Sequence, residues 1–139
     1  MAAHSRASGL VTAIALTALA CGCSPPELPM APTAFNAGVI LYEHANFLGN
    51  SAHLTGDIAD LRNFKGPCTQ SEDAHDWNDC VSSVRVASGW RATLYRGANY
   101  RDDALEITED MANLQLVREH DCVKGGLNDC VSSVRVRQQ

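Results

Sequence analysis

Apolar positions in this chain fall in short runs. Val39-Ile40-Leu41-Tyr42 is a β-branched and aromatic run that reads as a strand, and Arg91-Ala92-Thr93-Leu94-Tyr95 is its counterpart. Second strands are expected around Ala52 to Thr55 and Leu105 to Thr108. Val81 to Val86 alternates, with Val84 and Val86 on one face and Ser83 and Arg85 on the other, and Val131 to Val136 does the same. No window sustains a helical period, and Asp57-Ile58-Ala59-Asp60-Leu61 and Asp110-Met111-Ala112-Asn113-Leu114 are each read as a single turn. With a poorly marked third strand in each half, the pattern predicts four strands repeated twice. Two sheets that each have one apolar face cover each other best as a sandwich, so the expected class is all-β.

The repeat is literal at its end. Asn78-Asp79-Cys80-Val81-Ser82-Ser83-Val84-Arg85-Val86 returns unchanged as residues 128–136, fifty positions on. Upstream, Tyr42 aligns with Tyr95, Asn46 with Asn99, Phe47 with Tyr100, Leu54 with Ile107, Asp57 with Asp110 and Leu61 with Leu114, all at an offset of fifty-three. The second half is therefore three residues shorter before its Asn-Asp, where a loop tolerates deletion. A unit that cannot bury its apolar face alone is packed against a copy of itself. The expected domain covers 38–137, with one motif in 38–87 and the other in 90–137.

Charge and the N-terminal residues narrow the setting. The formal charge of −5 comes with no run of Lys or Arg, which argues against nucleic acid as a partner. Residues 1–23 read as an export signal: a weakly basic start at His4 and Arg6, an uncharged apolar run from Leu10 to Ala20, and the A-x-A pattern Ala18-Leu19-Ala20. That run is too short to stay behind as a membrane-spanning helix. Its end, Leu19-Ala20-Cys21-Gly22-Cys23, resembles a bacterial lipobox, so Cys21 or Cys23 is the expected lipid attachment point and the lipid the only membrane attachment, with ordinary secretion after Ala20 as the alternative. Residues 24–37, rich in proline, read as an extended spacer between that point and the domain.

Two motifs carry a resemblance. Tyr42-Glu43-His44-Ala45-Asn46-Phe47-Leu48-Gly49-Asn50-Ser51 resembles the Greek-key signature of the βγ-crystallins, and the duplicated N-D-x-x-S-S resembles their calcium-binding double clamp. The resemblance spans residues 38 to 137 and implies two Greek keys in a two-sheet sandwich. It also implies two Ca2+ sites, each shared between the halves: the Asp79 arm with Ser132, and the Asp129 arm with Ser82. Glu43, Arg96, Cys80 and Cys130 would add backbone carbonyls, and Asn78 and Asn128 would support the arms or add oxygens. Hydroxyl, carboxylate and carbonyl oxygens are the hard donors calcium prefers. Asn-Asp alone also makes an Asx turn, and it is the presence of two intact copies that favours calcium. The second half departs from the signature at Asp102 and Ala104, which stand where the first has Gly49 and Ser51, so its hairpin is expected to be strained or re-routed.

Cys68, Cys80, Cys122 and Cys130 are an even set in an exported chain and allow three pairings. One cysteine inside each clamp and one upstream of it suggest Cys68 with Cys80 and Cys122 with Cys130. A zinc site built from these cysteines with His75 or His120 is the competing use. Trp77 and Trp90 read as plugs of the sandwich or its rim. The histidines show no metal spacing and no triad, and every polar candidate is duplicated where an enzyme site would be asymmetric, so catalysis is not expected. Two functions of different class follow. One is a calcium-binding structural or stress-related protein of the bacterial cell envelope or exterior. The other is an inhibitor of a secreted protease, since a family of small exported bacterial metalloprotease inhibitors also has two Greek keys and two disulfides, and Leu116 to Gly126 would be the loop presented to the protease.

Overall fold

The computed structural model describes residues 35–71, 74–117, 122 and 126–139. The signal, lipid-attachment and spacer segments read from the sequence, and most of the loop from Leu116 to Gly126, lie outside the described residues. Eight strands follow in order: β1 Val39–His44, β2 Leu48–Leu54, β3 Lys65–Ser71, β4 Ala74–Asp76, β5 Ser83–Val86, β6 Trp90–Gly97, β7 Arg101–Ile107 and β8 Ser133–Gln138. They form two three-stranded antiparallel sheets, β2-β1-β5 and β7-β6-β8, with β3-β4 as a separate hairpin. The register repeats between the halves, Tyr42 lying opposite Ser51 and Ser83 as Tyr95 lies opposite Ala104 and Ser133. This is the expected all-β architecture of two Greek keys packed as a two-sheet sandwich.

The third strand of each half is a single bridge, and it joins the sheet of the other half. Ile58 exchanges both backbone hydrogen bonds with Val134, each 2.9 Å, and Met111 does the same with Val84 at 2.8 and 2.9 Å. The segments read as turns thus serve first as strand and only then turn, in 3-10 turns at Leu61–Asn63 and Leu114–Leu116. The Asp60 and Asn113 side chains cap those turns by accepting from the backbone N–H two residues on. Asp57 and Asp110 lock the exchange: Asp57 accepts from the N–H of Val136 and Asp110 from that of Val86, each at 2.9 Å. Arg137 in β8 adds a guanidinium to Asp57 alone, its Nη2 donating across 2.7 Å.

Apolar residues from both halves fill the space between the sheets. Val39, Leu41, Leu54, Leu61, Val81 and Val84 are buried, and so are their counterparts Ala92, Leu94, Ile107, Leu114, Val131 and Val134. Trp77 is buried in this core and Trp90 packs half-buried against it, as plugs should. Burying one such aliphatic side chain contributes about 1.5–3 kcal/mol. The β3-β4 hairpin occupies the part of the first half that is three residues longer than the second, and the alternation pattern did not mark it.

The outer face of β5 is not a solvent face. Alternation puts Ser83 on that face, yet it is fully buried, because the chain after β1 folds back over it. Asn46 and Phe47 take positive φ of 61° and 62°, and Gly49 follows at 79°. Asn99, Tyr100 and Asp102 repeat this at 58°, 61° and 62°. The second hairpin is therefore not re-routed at Asp102 but keeps the same path with a side chain in the left-handed region, at a cost of about 1–2 kcal/mol. Edge-to-face ring pairs hold both folds, Tyr42 with Phe47 and Tyr95 with Tyr100, each with centroids 5.7 Å apart. Arg85 lies 4.4 Å over the Phe47 ring and Arg135 4.2 Å over that of Tyr100.

Two tests follow from these contacts. Asp102→Gly should raise unfolding free energy by about 0.5–1 kcal/mol, the left-handed strain relieved less the backbone entropy of glycine, read by denaturant melts. The Arg137 guanidinium beside Asp57, helped by the Val136 N–H, holds that carboxyl below its usual range. A depressed folded-state pKa stabilises the fold above the unfolded value near 3.9, and this is lost as pH falls through the folded pKa. Melting temperature in chelator should therefore fall steadily below about pH 4, and Asp57→Asn should lower it at neutral pH and flatten the acid limb. An acid limb unchanged in Asp57→Asn would count against the lock.

Candidate metal centre

The two N-D-x-x-S-S segments run past each other in opposite directions. The Asp79 N–H donates to the Val131 carbonyl at 3.1 Å, and the Asp129 N–H donates to the Val81 carbonyl at 3.2 Å. Each aspartate sits in the left-handed region, at φ 51° and 52°, a conformation Asp tolerates better than most residues. That bend turns the chain out of the turn and into the strand beginning four residues later. The amide of Asn78 donates to Asp79 Oδ2 at 2.7 Å, while the Asn78 N–H is held by the buried Asp76 carboxylate at 2.9 Å. Asn78 thus orients the neighbouring carboxylate, and Asn128 occupies the equivalent place, half-buried, in the second half.

Ser82 Oγ lies 3.3 Å from Asp129 Oδ1, so a serine of the first half meets the aspartate of the second. The Ser82 N–H donates to the Tyr42 carbonyl at 2.9 Å, which sets Glu43, the next residue, beside the pair at a break in the β1-β2 register. The other end of the arrangement is built on the backbone. The Ser132 N–H donates to the Tyr95 carbonyl at 2.8 Å, Arg96 sits at the matching break in β6, and the Asp79 N–H is tied to the carbonyl of Val131, the residue before Ser132. The Glu43 carboxylate accepts from the Asn50 side chain at 2.8 Å and from its N–H, which keeps its pKa below the usual range. Arg96 pairs with Asp103 at 3.1 Å. With both side chains engaged along their hairpins, what Glu43 and Arg96 have to offer an ion is the backbone carbonyl.

Cys80 is bonded to Cys68 and Cys130 to Cys122, with Cα–Cα distances of 5.8 and 6.3 Å. The symmetric pairing anchors each clamp to the chain just upstream, and closing loops of 12 and 8 residues contributes about 3 kcal/mol each or less. Sulfurs joined in disulfides do not ligate zinc, which removes that use of the cysteines. The donors that remain are hydroxyl, carboxylate and carbonyl oxygens. Two ligands on adjacent positions of an ion with oxygen distances of 2.3–2.6 Å stand about 3.4 Å apart, close to the Ser82–Asp129 separation. Oxygens of these kinds are the donor type that calcium takes.

The second serine of each pair has a different task, which the strand reading missed. Ser83 Oγ donates to the His44 carbonyl at 2.6 Å and accepts from the Phe47 N–H at 3.0 Å. Ser133 repeats both bonds with Gly97 and Tyr100, at 2.6 and 3.0 Å. These hydroxyls pin the folded-over hairpins, and the doubling of serine in both copies was the signal for a second role. Of the loop suggested for protease contact, Leu116 is strongly exposed and Cys122 is buried, its N–H donating to the Gly126 carbonyl at 3.1 Å.

Comparison with known proteins agrees with the fold. The model of peptidase inhibitor family I36 matches residues 40–108. Spherulin-3A of Physarum polycephalum is 30% identical over 98 residues, which cover 70% of this chain and 80% of that protein. A structure described under the evolution of the eye-lens βγ-crystallin domain fold superposes with a TM-score of 0.57 at 26% identity, covering 80% of this chain and 95% of its own. A βγ-crystallin domain from Flavobacterium johnsoniae gives 0.53 at 29% identity, covering 73% and 94%.

The separate tasks of the two serines can be told apart by mutation. Ser83→Ala leaves a donor and an acceptor under the hairpin without their partner and should cost about 1–3 kcal/mol in chelator. Ser82→Ala should change metal-free stability by less than about 0.5 kcal/mol, since it removes one long contact. Equal losses in denaturant melts of the two variants would reject the division.

Proposed function

The chain belongs to the βγ-crystallin superfamily, and on that premise we propose that it is a calcium-binding module in which two ions are each held by both halves. The observation that carries the reading is the Ser82 hydroxyl 3.3 Å from the Asp129 carboxylate, across the boundary between the halves. Ser82, Asp129 and the Glu43 carbonyl would hold one ion, and Ser132, Asp79 and the Arg96 carbonyl the other. The Cys80 and Cys130 carbonyls and the Asn78 and Asn128 amides complete or support the sets. Bound calcium would supply positive charge between the two crossed segments. The chain's own part is to present two oxygens from distant residues at ligand spacing, with disulfides and left-handed aspartates fixing the approach.

Few charged donors per site imply modest affinity, about 10⁻⁵ to 10⁻³ M, the range of extracellular modules. At a hundredfold excess over Kd each ion adds about 2.7 kcal/mol to stability if the unfolded chain does not bind. Calcium in this reading is a stabiliser of a structural or stress-related protein of the cell envelope or exterior. The two disulfides suit such a compartment, and Cys21 or Cys23 would carry the lipid anchor. The family model and the solved structures it resembles bear inhibitor and crystallin descriptions, which supports a non-enzymatic role. Inhibition of a secreted peptidase is the second reading, favoured by the family match over residues 40–108.

Calorimetry on the full chain should find two calcium ions and a rise in melting temperature at millimolar calcium. Ser132→Ala should weaken the site containing Asp79 and spare the one containing Asp129. Combined with Asp79→Ala it should cost less than the sum of the two, because both disable one ion, whereas combined with Asp129→Ala it should be additive. The opposite pairing, or no heat and no thermal shift, would set calcium aside and move the inhibitor reading forward.

A further inference from the structure

The halves finish the outer edges of their sheets differently. β7 carries Arg101, Asp102, Asp103 and Glu106, the charges that commonly guard an edge strand against pairing. β2, its counterpart, reads Leu-Gly-Asn-Ser-Ala-His-Leu, with no Lys, Arg, Asp, Glu or Pro. Among the described residues β2 pairs only with β1. The direction of its free groups follows from the ladder. Tyr42 spends its carbonyl on the Ser82 N–H, on the β5 side, so its neighbour Leu41 faces β2, where it meets Ala52. Ala52 and Leu54 therefore turn their backbone groups into the sheet, and Ser51 and His53 turn theirs out. The Asn50 N–H also turns toward β1, donating to the Glu43 carboxylate at 3.2 Å.

A cleft of about 360 Å³ runs beside this edge, lined by Asn50, Ser51, Lys65, Gly66, Pro67 and Trp77. Its far wall hugs the indole only because residue 66 is glycine: a Cβ there would stand 2.5 Å from Trp77 Cδ1 and from the Asp76 carbonyl oxygen. In a sheet one residue occupies about 160 Å³, from 3.3 Å of rise, 4.8 Å between strands and 10 Å between layers. The cleft thus has the volume of about two residues of a single extended chain. Lys65 is the one charged lining residue, and no carboxylate pairs with it among the described residues.

We propose that this cleft is a docking site for an extended acidic segment of another protein. The segment adds to β2 as a further strand, with its backbone bonded to the outward N–H and C=O of Ser51 and a carboxylate set on Lys65. Main-chain bonds supply the attachment and the lysine selects the sign of the side chain. Asn50 lines the cleft and bonds Glu43 of the first clamp, but neither docking contact, on Ser51 or on Lys65, uses a residue assigned to calcium.

The test is a panel of capped, fluorescently labelled hexapeptides of alternating Val and Thr with Asp, Asn or Lys at the centre, titrated into the full chain with calcium and then with chelator. Acid-centred peptides should bind at least tenfold more tightly than lysine-centred ones under both conditions. In ¹⁵N spectra the shifts should concentrate on Ser51, His53, Lys65 and the Trp77 indole. Lys65→Glu, at an exposed position, should reverse the preference for charge. Ser51→Pro, which removes an outward N–H from an edge strand, should abolish binding. Equal affinity for the Asp and Lys peptides, no binding up to millimolar concentration, or shifts centred elsewhere would overturn the proposal.

Discussion

Everything in this fold depends on an exchange of hydrogen bonds between its halves. Ile58 closes on Val134 and Met111 on Val84, and in each case an aspartate one residue earlier secures the strand two residues further along. Neither half has its full sheet without the other. A sandwich of two separate sheets could slide or part; one whose sheets trade strands has its register set from both sides. That register is what carries the Ser82 hydroxyl to Asp129 and the Asp79 N–H to Val131. The clamp geometry is thus a consequence of the exchange, and a slip of one residue would point both serines away.

A second constraint is local and costly. Two consecutive non-glycine residues with positive φ, one of them aromatic, occur in both hairpins. Such backbone persists only where its surroundings over-determine it. Here the surroundings are a buried serine hydroxyl that bonds both ends of the bend, a ring pair and an arginine over the ring. The Asn46 N–H also reaches the Ala112 carbonyl at 2.6 Å, and that of Asn99 reaches Ala59 at 2.6 Å, so each hairpin leans on the segment exchanged by the other half. Local strain and long-range pairing are in this way parts of one arrangement.

The halves have drifted apart away from the clamps. Arg137 strengthens the Asp57 lock, while its counterpart in the first half, Ala87, cannot. The β3-β4 hairpin builds a wall beside β2, and charge guards β7 instead. Duplication kept what the exchange requires and released the outer edges, where a change alters what can approach the molecule without disturbing the core.

Period-two alternation, the repeat and the symmetric cysteines were legible in the sequence because each depends on residues near one another or on identity between two stretches. The clamps could be located in the same way, since Asn-Asp and the paired serines are contiguous. The partners of those residues could not be read from local pattern, because propensity carries no information about which distant edge a short segment will meet. Ile58 and Met111 looked like parts of turns for that reason: one paired residue gives no alternation to detect. Ser83 looked like a solvent-facing position because alternation knows two faces of a strand and nothing of a hairpin folded over one of them. Resemblance to the βγ-crystallins suggested which serine goes with which aspartate, but only the packed sheets brought Ser82 to Asp129, left β2 open beside Lys65 and buried the second serine, since each of these rests on contacts between residues dozens of positions apart.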